Sequence, residues 1–293
     1  MKKLFLIVCC TVSVLAQAQV KLSFNPEKGE RYQYISKTES TAKQQIMGQE
    51  IPMSTVMEMS FDMTVKEKTE DEIRLECIYN DILMSISSPM MEVKYDSKNP
   101  AENPTKMDKM MSQILGALAG KSIIVDFEPN GSVKSISGFD AIMKDMLDGL
   151  PENPEMQQMA NASMQSFDDK AIKNMFEQAF KIYPEQAVNI GDSWQGGISM
   201  AMMGADNQIN NTYQLKSIEE GNAVINVSSV FNLMPAGLEG ALKGEQKGEI
   251  RIDIKTGMPI SSTVTQTSKG SFEAQGMELQ MEVVSKITFE QKK

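Results

Sequence analysis

The feature that most constrains the fold is a strict two-residue alternation between residues 51 and 65. Apolar or β-branched side chains occupy every second position, and mostly polar residues lie between them. This period puts alternate side chains on opposite faces of a β-strand, so that one face is buried and the other is wet. At about 3.3 Å per residue the segment extends roughly 50 Å, which is much longer than a usual strand. The alternating residues are Ile51, Met53, Thr55, Met57, Met59, Phe61, Met63 and Val65.

The same alternation recurs on both sides of this segment and near the end of the chain. Tyr32 and Tyr34 begin a Ser/Thr-rich segment that predicts a preceding strand. Residues 73–79 predict a return strand, and a change of phase at Asn80-Asp81 indicates a β-bulge. The last predicted strand carries on one face Met277, Leu279, Met281, Val283, Ile287 and Phe289.

A largely helical insert at about residues 105–183 separates the two sets of strands. A short strand pair interrupts this insert, with Asn130-Gly131 as a hairpin turn. Apolar residues elsewhere in the insert follow helical spacing, which predicts amphipathic helices. The helical segments lie within 107–118, 142–150 and 172–180.

These elements predict a single β-rich α+β domain at residues 19–293, composed mainly of antiparallel strands. Further hairpin turns are expected at 220–222 and 255–257. Long strands with one apolar face require a cover, which is either a second sheet or a layer of helices. We favour a long-stranded curved sheet, a half-barrel, with the helical insert covering its concave face.

The first eighteen residues have the three parts of a secretory signal peptide. Lys2 and Lys3 precede an apolar run at 4–15, and the small-x-small site Ala16-Gln17-Ala18 follows it. The run is shorter than the roughly 20 residues that a membrane-spanning helix needs. We therefore predict signal peptide 1–18, no transmembrane segment in the mature chain, and a periplasmic or extracellular protein.

Composition excludes several classes of partner and chemistry. The net charge of −10 disfavours nucleic acid and anionic lipid headgroups as non-specific partners. Histidine is absent, so the commonest general base and metal ligand are missing. Cys77 is the one cysteine that remains after the predicted cleavage, which leaves no internal disulfide.

One segment has the residues of a serine-protease nucleophile motif without the chemistry that the motif requires. Gly191-Asp192-Ser193-Trp194 resembles Gly-Asp-Ser-Gly, but a histidine must accept the serine proton. A turn that enters a strand explains the segment better. We expect no catalytic residues and no cofactor, and therefore a non-enzymatic protein.

Methionine is the compositional anomaly, with 25 residues in the chain. Flexible thioethers adapt to irregular apolar shapes, so they suit either a hydrophobic groove or an ordinary core. Thioethers also bind Cu(I), and Met53, Met57, Met59 and Met63 are closely spaced in sequence. However, an extended strand places these methionines in a row, so their thioethers cannot all converge on one ion. The predicted groove residues are Met53, Met57, Met59, Phe61, Met63, Met277, Leu279 and Met281.

Three segments together resemble an uncharacterised family of exported proteins from Bacteroidetes, known as a domain of unknown function. They are residues 24–32, residues 190–194, and residues 250–259 with an Asp-x-x-Thr-Gly-x-Pro turn. That turn is also similar to one in lipoprotein-carrier-like half-barrels of the cell envelope. The second resemblance implies a concave apolar groove that accepts acyl chains, and neither resemblance supplies functional residues.

Three functions remain open at this point. The first is a cell-envelope protein that binds a lipid or acyl chain in a methionine-lined groove. The second is a structural or interaction component that docks another envelope protein through sheet edges or its acidic surface. The third is a Cu(I)-binding protein.

Overall fold

A single curved antiparallel sheet dominates the computed structural model, which describes residues 19–46, 48–148, 169–202, 205–234, 236, 239–274 and 277–292. The predicted signal peptide lies outside the described residues. The described strands are β1 (Arg31–Ile46), β2 (Gln49–Lys68), β3 (Ile73–Ser88), β4 (Met91–Asp96), β5 (Ser122–Phe127), β6 (Val133–Ser137), β7 (Ser193–Met202), β8 (Ala205–Glu219), β9 (Asn222–Leu233), β10 (Gly240–Asp253), β11 (Pro259–Ala274) and β12 (Met277–Gln291). The described helices are α1 (Lys106–Gly116), α2 (Phe139–Asp148) and α3 (Asp169–Phe180).

The order of strands across the sheet is β6-β5-β3-β2-β1-β12-β11-β10-β9-β8-β7. Strand β4 lies off this path and pairs with the C-terminal part of β3. The N-terminal and C-terminal strand sets meet where β1 pairs with β12, from Tyr34–Gln291 to Gln45–Gln280. The architecture therefore confirms the predicted α+β class and the open, long-stranded half-barrel.

The β-bulge predicted at Asn80-Asp81 is present in β3. Ser60 pairs with Asp81 while the next residue, Phe61, pairs with Tyr79, so Asn80 is the extra residue of a bulge in β3. Beyond the bulge the alternation resumes in the opposite phase, with Ile82 buried. The bulge therefore keeps apolar side chains on one face along the whole of β3.

Two glycines of the β10–β11 pair lie where the neighbouring strand leaves no room for a side chain. A Cβ at Gly244 would lie 2.3 Å from the Thr267 carbonyl oxygen, and one at Gly270 would lie 2.0 Å from that of Ala241. Both distances are shorter than any real contact, so these strand positions accept no side chain in this geometry. Interior strand glycines of this kind allow a sharp local bend.

The helices cover the first half of the sheet, and α3 also packs against β7 at its far edge. Phe127, Phe176 and Phe180 pack with Phe24 of the N-terminal segment, with neighbouring ring centroids 5.0–6.2 Å apart. Their cluster also contains Met63 and the apolar residues of β3 and β5. The helical insert thus packs on the apolar face of the sheet, as predicted.

Two further clusters lie on the second half of the sheet. One contains Leu22, Ile182 and Val188 packed against β8, β9 and β10. The other contains Phe231, Leu242 and neighbouring apolar residues of β7 to β11. Apolar packing on this sheet is therefore divided among separate clusters.

Candidate functional site

The inward face of the sheet carries no charged side chain along its long paired stretches. This face, defined by the strand registers and by burial, is the one that the helices cover. Charges occupy the opposite face, for example Lys37 and Glu39 on β1 and Lys243 and Glu245 on β10. The inward face comprises alternate residues of 32–44, 51–65, 73–79, 82–88, 194–198, 207–215, 223–233, 242–252, 262–272 and 279–291.

The predicted groove residues lie on this face but in different environments. Phe61 and Met63 are buried in the cluster beneath the helices, and Met59 packs against that cluster. Leu279 and Met281 pack against the cluster that contains Phe231 and Leu242. These five residues therefore contribute to packed regions at either end of the concave face.

Met53 and Met57 lie away from those packed clusters. Met53 is 40% exposed near the β1–β2 turn, and Met57 is half-buried in the middle of its strand. The side chain of Met277 lies outside the described part of the structure.

A half-buried apolar surface lies between the packed clusters, in the middle of the concave face. We call it the central patch, and its residues lie opposite one another on neighbouring strands. Met57 pairs with Met84 on one side and with Thr38 on the other, and Thr38 pairs with Ile287. The central patch consists of Thr38, Met57, Met84 and Ile287, all intermediate in exposure. Inward side chains that remain half-exposed on a concave sheet leave an apolar surface that a ligand can cover.

A row of uncharged polar residues runs beside the central patch, across the strands. Ser40 and Ser285 are paired across β1 and β12, and their hydroxyl oxygens are 2.7 Å apart. Ser285 pairs with Gln266, which in turn pairs with Gln246. The alternation of apolar residues does not reveal this row, although its residues occupy the inward-facing positions of their strands. We call it the polar row, and it consists of Ser40, Ser285, Gln266, Gln246, Ser229 and Asn211.

The segment that resembles a nucleophile motif has a structural role, and Cys77 is buried. The Trp194 indole donates a hydrogen bond to the Ile182 carbonyl oxygen at 2.8 Å and stacks on Tyr213. Gly191 has φ +96°, so the segment is a turn that leads into β7. Burial raises the pKa of the Cys77 thiol to about 12, which keeps the reactive thiolate scarce at neutral pH.

Methionine thioethers along β2 do not converge. Met53 is exposed near the β1–β2 turn, whereas Met63 is buried beneath the helices. Ten residues of strand separate them, which corresponds to about 33 Å. Among the described residues, no group of three histidine, cysteine, aspartate or glutamate side chains is placed to hold a metal ion.

The Asp-x-x-Thr-Gly-x-Pro turn joins β10 to β11 and holds the N-terminal segment. The Asp253 carboxylate accepts hydrogen bonds from the Thr256 amide and hydroxyl, at 2.7 and 2.8 Å. The Thr256 carbonyl oxygen then accepts from the amide of Asn25. The Tyr183 hydroxyl donates to the Gly257 carbonyl oxygen at 2.6 Å. The motif is therefore a structural junction of the fold.

These features define the class as an antiparallel β protein with one curved sheet, a helical cover and an uncharged concave face. Within that class, the chain belongs to a family of unknown function (DUF6263), whose model matches residues 70–259. The match runs from the β2–β3 turn to the junction at Pro259. It confirms the predicted membership of an uncharacterised family.

Similarity to solved structures concerns the fold. The chain is similar to lipovitellin, in a structure of lipid–protein interactions in that protein, with 11% identity and a TM-score of 0.50. The similarity covers 91% of this chain and 25% of lipovitellin, so the chain spans about a quarter of that protein's length. None of the curated proteins compared with the chain matches it.

Two bacterial outer-membrane proteins are also similar, at lower scores. An outer-membrane channel from Pseudomonas putida F1 has 7% identity and a TM-score of 0.25, with 91% of this chain and 96% of that chain covered. The translocator domain of the autotransporter NalP from Neisseria meningitidis has 9% identity and a TM-score of 0.22, with coverage of 89% and 88%. TM-scores this low do not support a conclusion about the fold or the function of this chain. Among the described residues, no helix combines the length and apolar character needed to cross a membrane.

Proposed function

We propose that this protein is a non-enzymatic, exported cell-envelope protein that holds a hydrophobic ligand, a lipid or an acyl chain, against its concave face. The observation that carries the proposal is the central patch, where half-buried Met57, Met84 and Ile287 lie on a face without charges. A charged side chain there would lose solvation when an apolar ligand covered it. Flexible methionines adapt to acyl chains of different shape.

A sequence prediction and a structural similarity further support the proposal. The predicted signal peptide at 1–18 directs export, which places the protein where envelope lipids are available. Lipovitellin, whose structure concerns lipid–protein interactions, has a similar sheet. The ligand site proposed here consists of the central patch, and Met53 and Met281 both lie on the side of the patch that is nearer the β1–β2 turn.

Native mass spectrometry of the protein, purified without detergent from its own cell envelope, tests this function. We expect a reproducible adduct of lipid mass on the wild-type protein. Met57→Glu places a charge in the central patch, so we expect the adduct to fall at least about tenfold. Ser54→Glu is the matched control, because Ser54 lies exposed on the same strand. A bare wild-type mass, or equal adducts in both variants, would refute the proposal.

The charged outward face favours a second candidate function, protein docking. The chain has a net charge of −10, and the charged side chains of the long strands lie on the face opposite the concave one. The sheet edges are less available, because helix α3 packs against both β6 and β7, and Gln178 donates to the Ser199 carbonyl oxygen at 3.4 Å. If the same preparation gave no lipid adduct but a defined protein complex, this second function would replace the first.

A further inference from the structure

The polar row ends in a small hydrogen-bonded network that is almost completely buried. Gln246 donates through Nε2 to the Asn211 Oδ1 atom at 2.7 Å, and Asn211 Nδ2 donates to the Tyr213 hydroxyl at 3.0 Å. Gln246 is 8% exposed and Asn211 is 3% exposed.

Ser229 lies beside Gln246 on β9, and its hydroxyl is not satisfied. The two residues pair directly across β9 and β10, and Ser229 is 8% exposed. Its Oγ atom is buried and has no hydrogen-bond partner among the described residues. Buried hydroxyl groups normally have a partner, because leaving one unpaired costs free energy. An unpaired hydroxyl on the inner face therefore indicates a polar group supplied from outside the chain.

Other unpaired buried atoms in the described residues lie elsewhere. They are Asn174 Nδ2 on α3 and Ser199 Oγ on β7, beside the sheet edge. Ser229, by contrast, continues the polar row, which passes through Gln266 to the serine pair of Ser285. That pair lies next to Ile287 of the central patch on the same face of β12. A ligand that covers the central patch can thus reach along the polar row.

The residues around Ser229 determine which charge a ligand group beside it can carry. The polar row contains only hydroxyl and amide side chains, and the inward face around it carries no lysine or arginine. A carboxylate or phosphate brought here would lose its hydration without gaining an opposite charge. An ester, amide or hydroxyl group would need only the hydrogen bonds that Ser229 and Gln246 can supply.

We propose that Ser229, Gln246 and Asn211 form a subsite that binds the uncharged polar group of an acyl lipid. This inference rests on the proposed function and adds to it the class of ligand: neutral lipids with an ester, amide or hydroxyl group, in preference to free fatty acids. Ser229 donates to the carbonyl or hydroxyl oxygen of the ligand. Gln246 provides a neighbouring carbonyl oxygen that can accept from a ligand hydroxyl.

Competition between two lipids with the same acyl chain tests the subsite. Binding of 1-monopalmitoylglycerol and of palmitate at pH 8 is measured by displacement of Nile red, an uncharged probe, from the whole protein. We expect the wild type to bind monopalmitoylglycerol at least about tenfold more tightly than palmitate. Ser229→Ala should reduce that preference by roughly fivefold, since one hydrogen bond is lost. Ser228→Ala, the exposed neighbour on the other face of β9, should leave it unchanged.

The outcomes separate the subsite from the proposed function. Equal binding of the two lipids, tighter binding of palmitate, or an unchanged preference in Ser229→Ala would overturn the subsite alone. Failure of both lipids to displace the probe would overturn the proposed function as well. Circular dichroism and thermal melting of both serine variants establish that each one is folded, so that a lost preference reports on binding.

Discussion

At the scale of single residues, the junction between β10 and β11 shows how a short motif determines local structure. Gly257 has φ +71°, and a Cβ there would lie 2.1 Å from the Ser23 carbonyl oxygen. Asp253 and Thr256 hold the turn by side-chain hydrogen bonds to its backbone. The motif is visible in the sequence, but its contact with the N-terminal segment is not, because nothing local specifies that neighbour.

Substitution of this glycine should be much more costly than substitution in an open turn. We expect Gly257→Ala to lower the free energy of unfolding by about 3 kcal/mol, because backbone strain and the collision with Ser23 add. Gly221→Ala is the matched control, with φ +82° and no atom within 4 Å of its Cβ. It should cost about 1 kcal/mol, for strain alone. Urea denaturation measures both, and equal losses would contradict the close approach.

At the scale of elements, the alternation identified the long strands, and helical spacing identified the three helical segments. Both signals report which face of an element is apolar, and the structure agrees with them. Pairing partners were not predictable in the same way, because β1 pairs with β12 across almost the whole chain. The close approach of the neighbouring strand at Gly244 and Gly270 was also not predictable, since a glycine within a strand does not show what approaches it.

Helix α3 is stabilised mainly by one apolar stripe. Ile172, Phe176 and Phe180 are buried at four-residue spacing, whereas Met175 is 43% exposed. We expect Phe176→Ala to lower the free energy of unfolding by about 3 kcal/mol, because its ring packs against Phe127. Met175→Ala should change it by less than about 0.5 kcal/mol. Comparable effects of the two changes would show that α3 does not cover the sheet as described.

At the scale of the whole molecule, the sequence located the apolar surface of the site but not its polar part. The predicted methionines of β2 do lie on the inward face, yet Met63 is buried in the core and Met57 is only half-buried. Alternation assigns a residue to a face without showing how far the helices extend over that face. The polar row was missed because Ser229 and Gln246 are polar at positions where the pattern leads one to expect apolar residues.

Acid should destabilise the molecule as a whole. Hydrogen bonds to lysine, arginine, hydroxyl, amide or backbone groups lower the pKa of several carboxyl groups, so the charged forms stabilise the folded state at neutral pH. This stability should be lost as the pH falls below about 4 and through the lowered pKa values. The carboxyl groups are Glu27, Glu39, Glu76, Asp81, Asp96, Asp108, Asp126 and Glu219.

Urea midpoints at pH 7, 5 and 3 measure this effect. We expect a clear decrease between pH 5 and pH 3, and a smaller decrease in Asp126→Asn. The Arg74 guanidinium donates to the Asp126 carboxylate at 2.7 Å and holds its pKa low, so the variant lacks one of the groups that must be protonated. A midpoint that stayed constant from pH 7 to pH 3 would contradict the expected linkage.

The separation of charged and uncharged faces also has a consequence for how the strands find their partners. A shift of β12 by one residue against β1 would turn Glu282 and Lys286 toward the inside and Val283 and Ile287 toward water. Each misaligned pairing would thus bury several charges at once, and the error would grow with the length of the strand. The pattern that leaves the concave face free for a ligand therefore also rejects wrong alignments during folding.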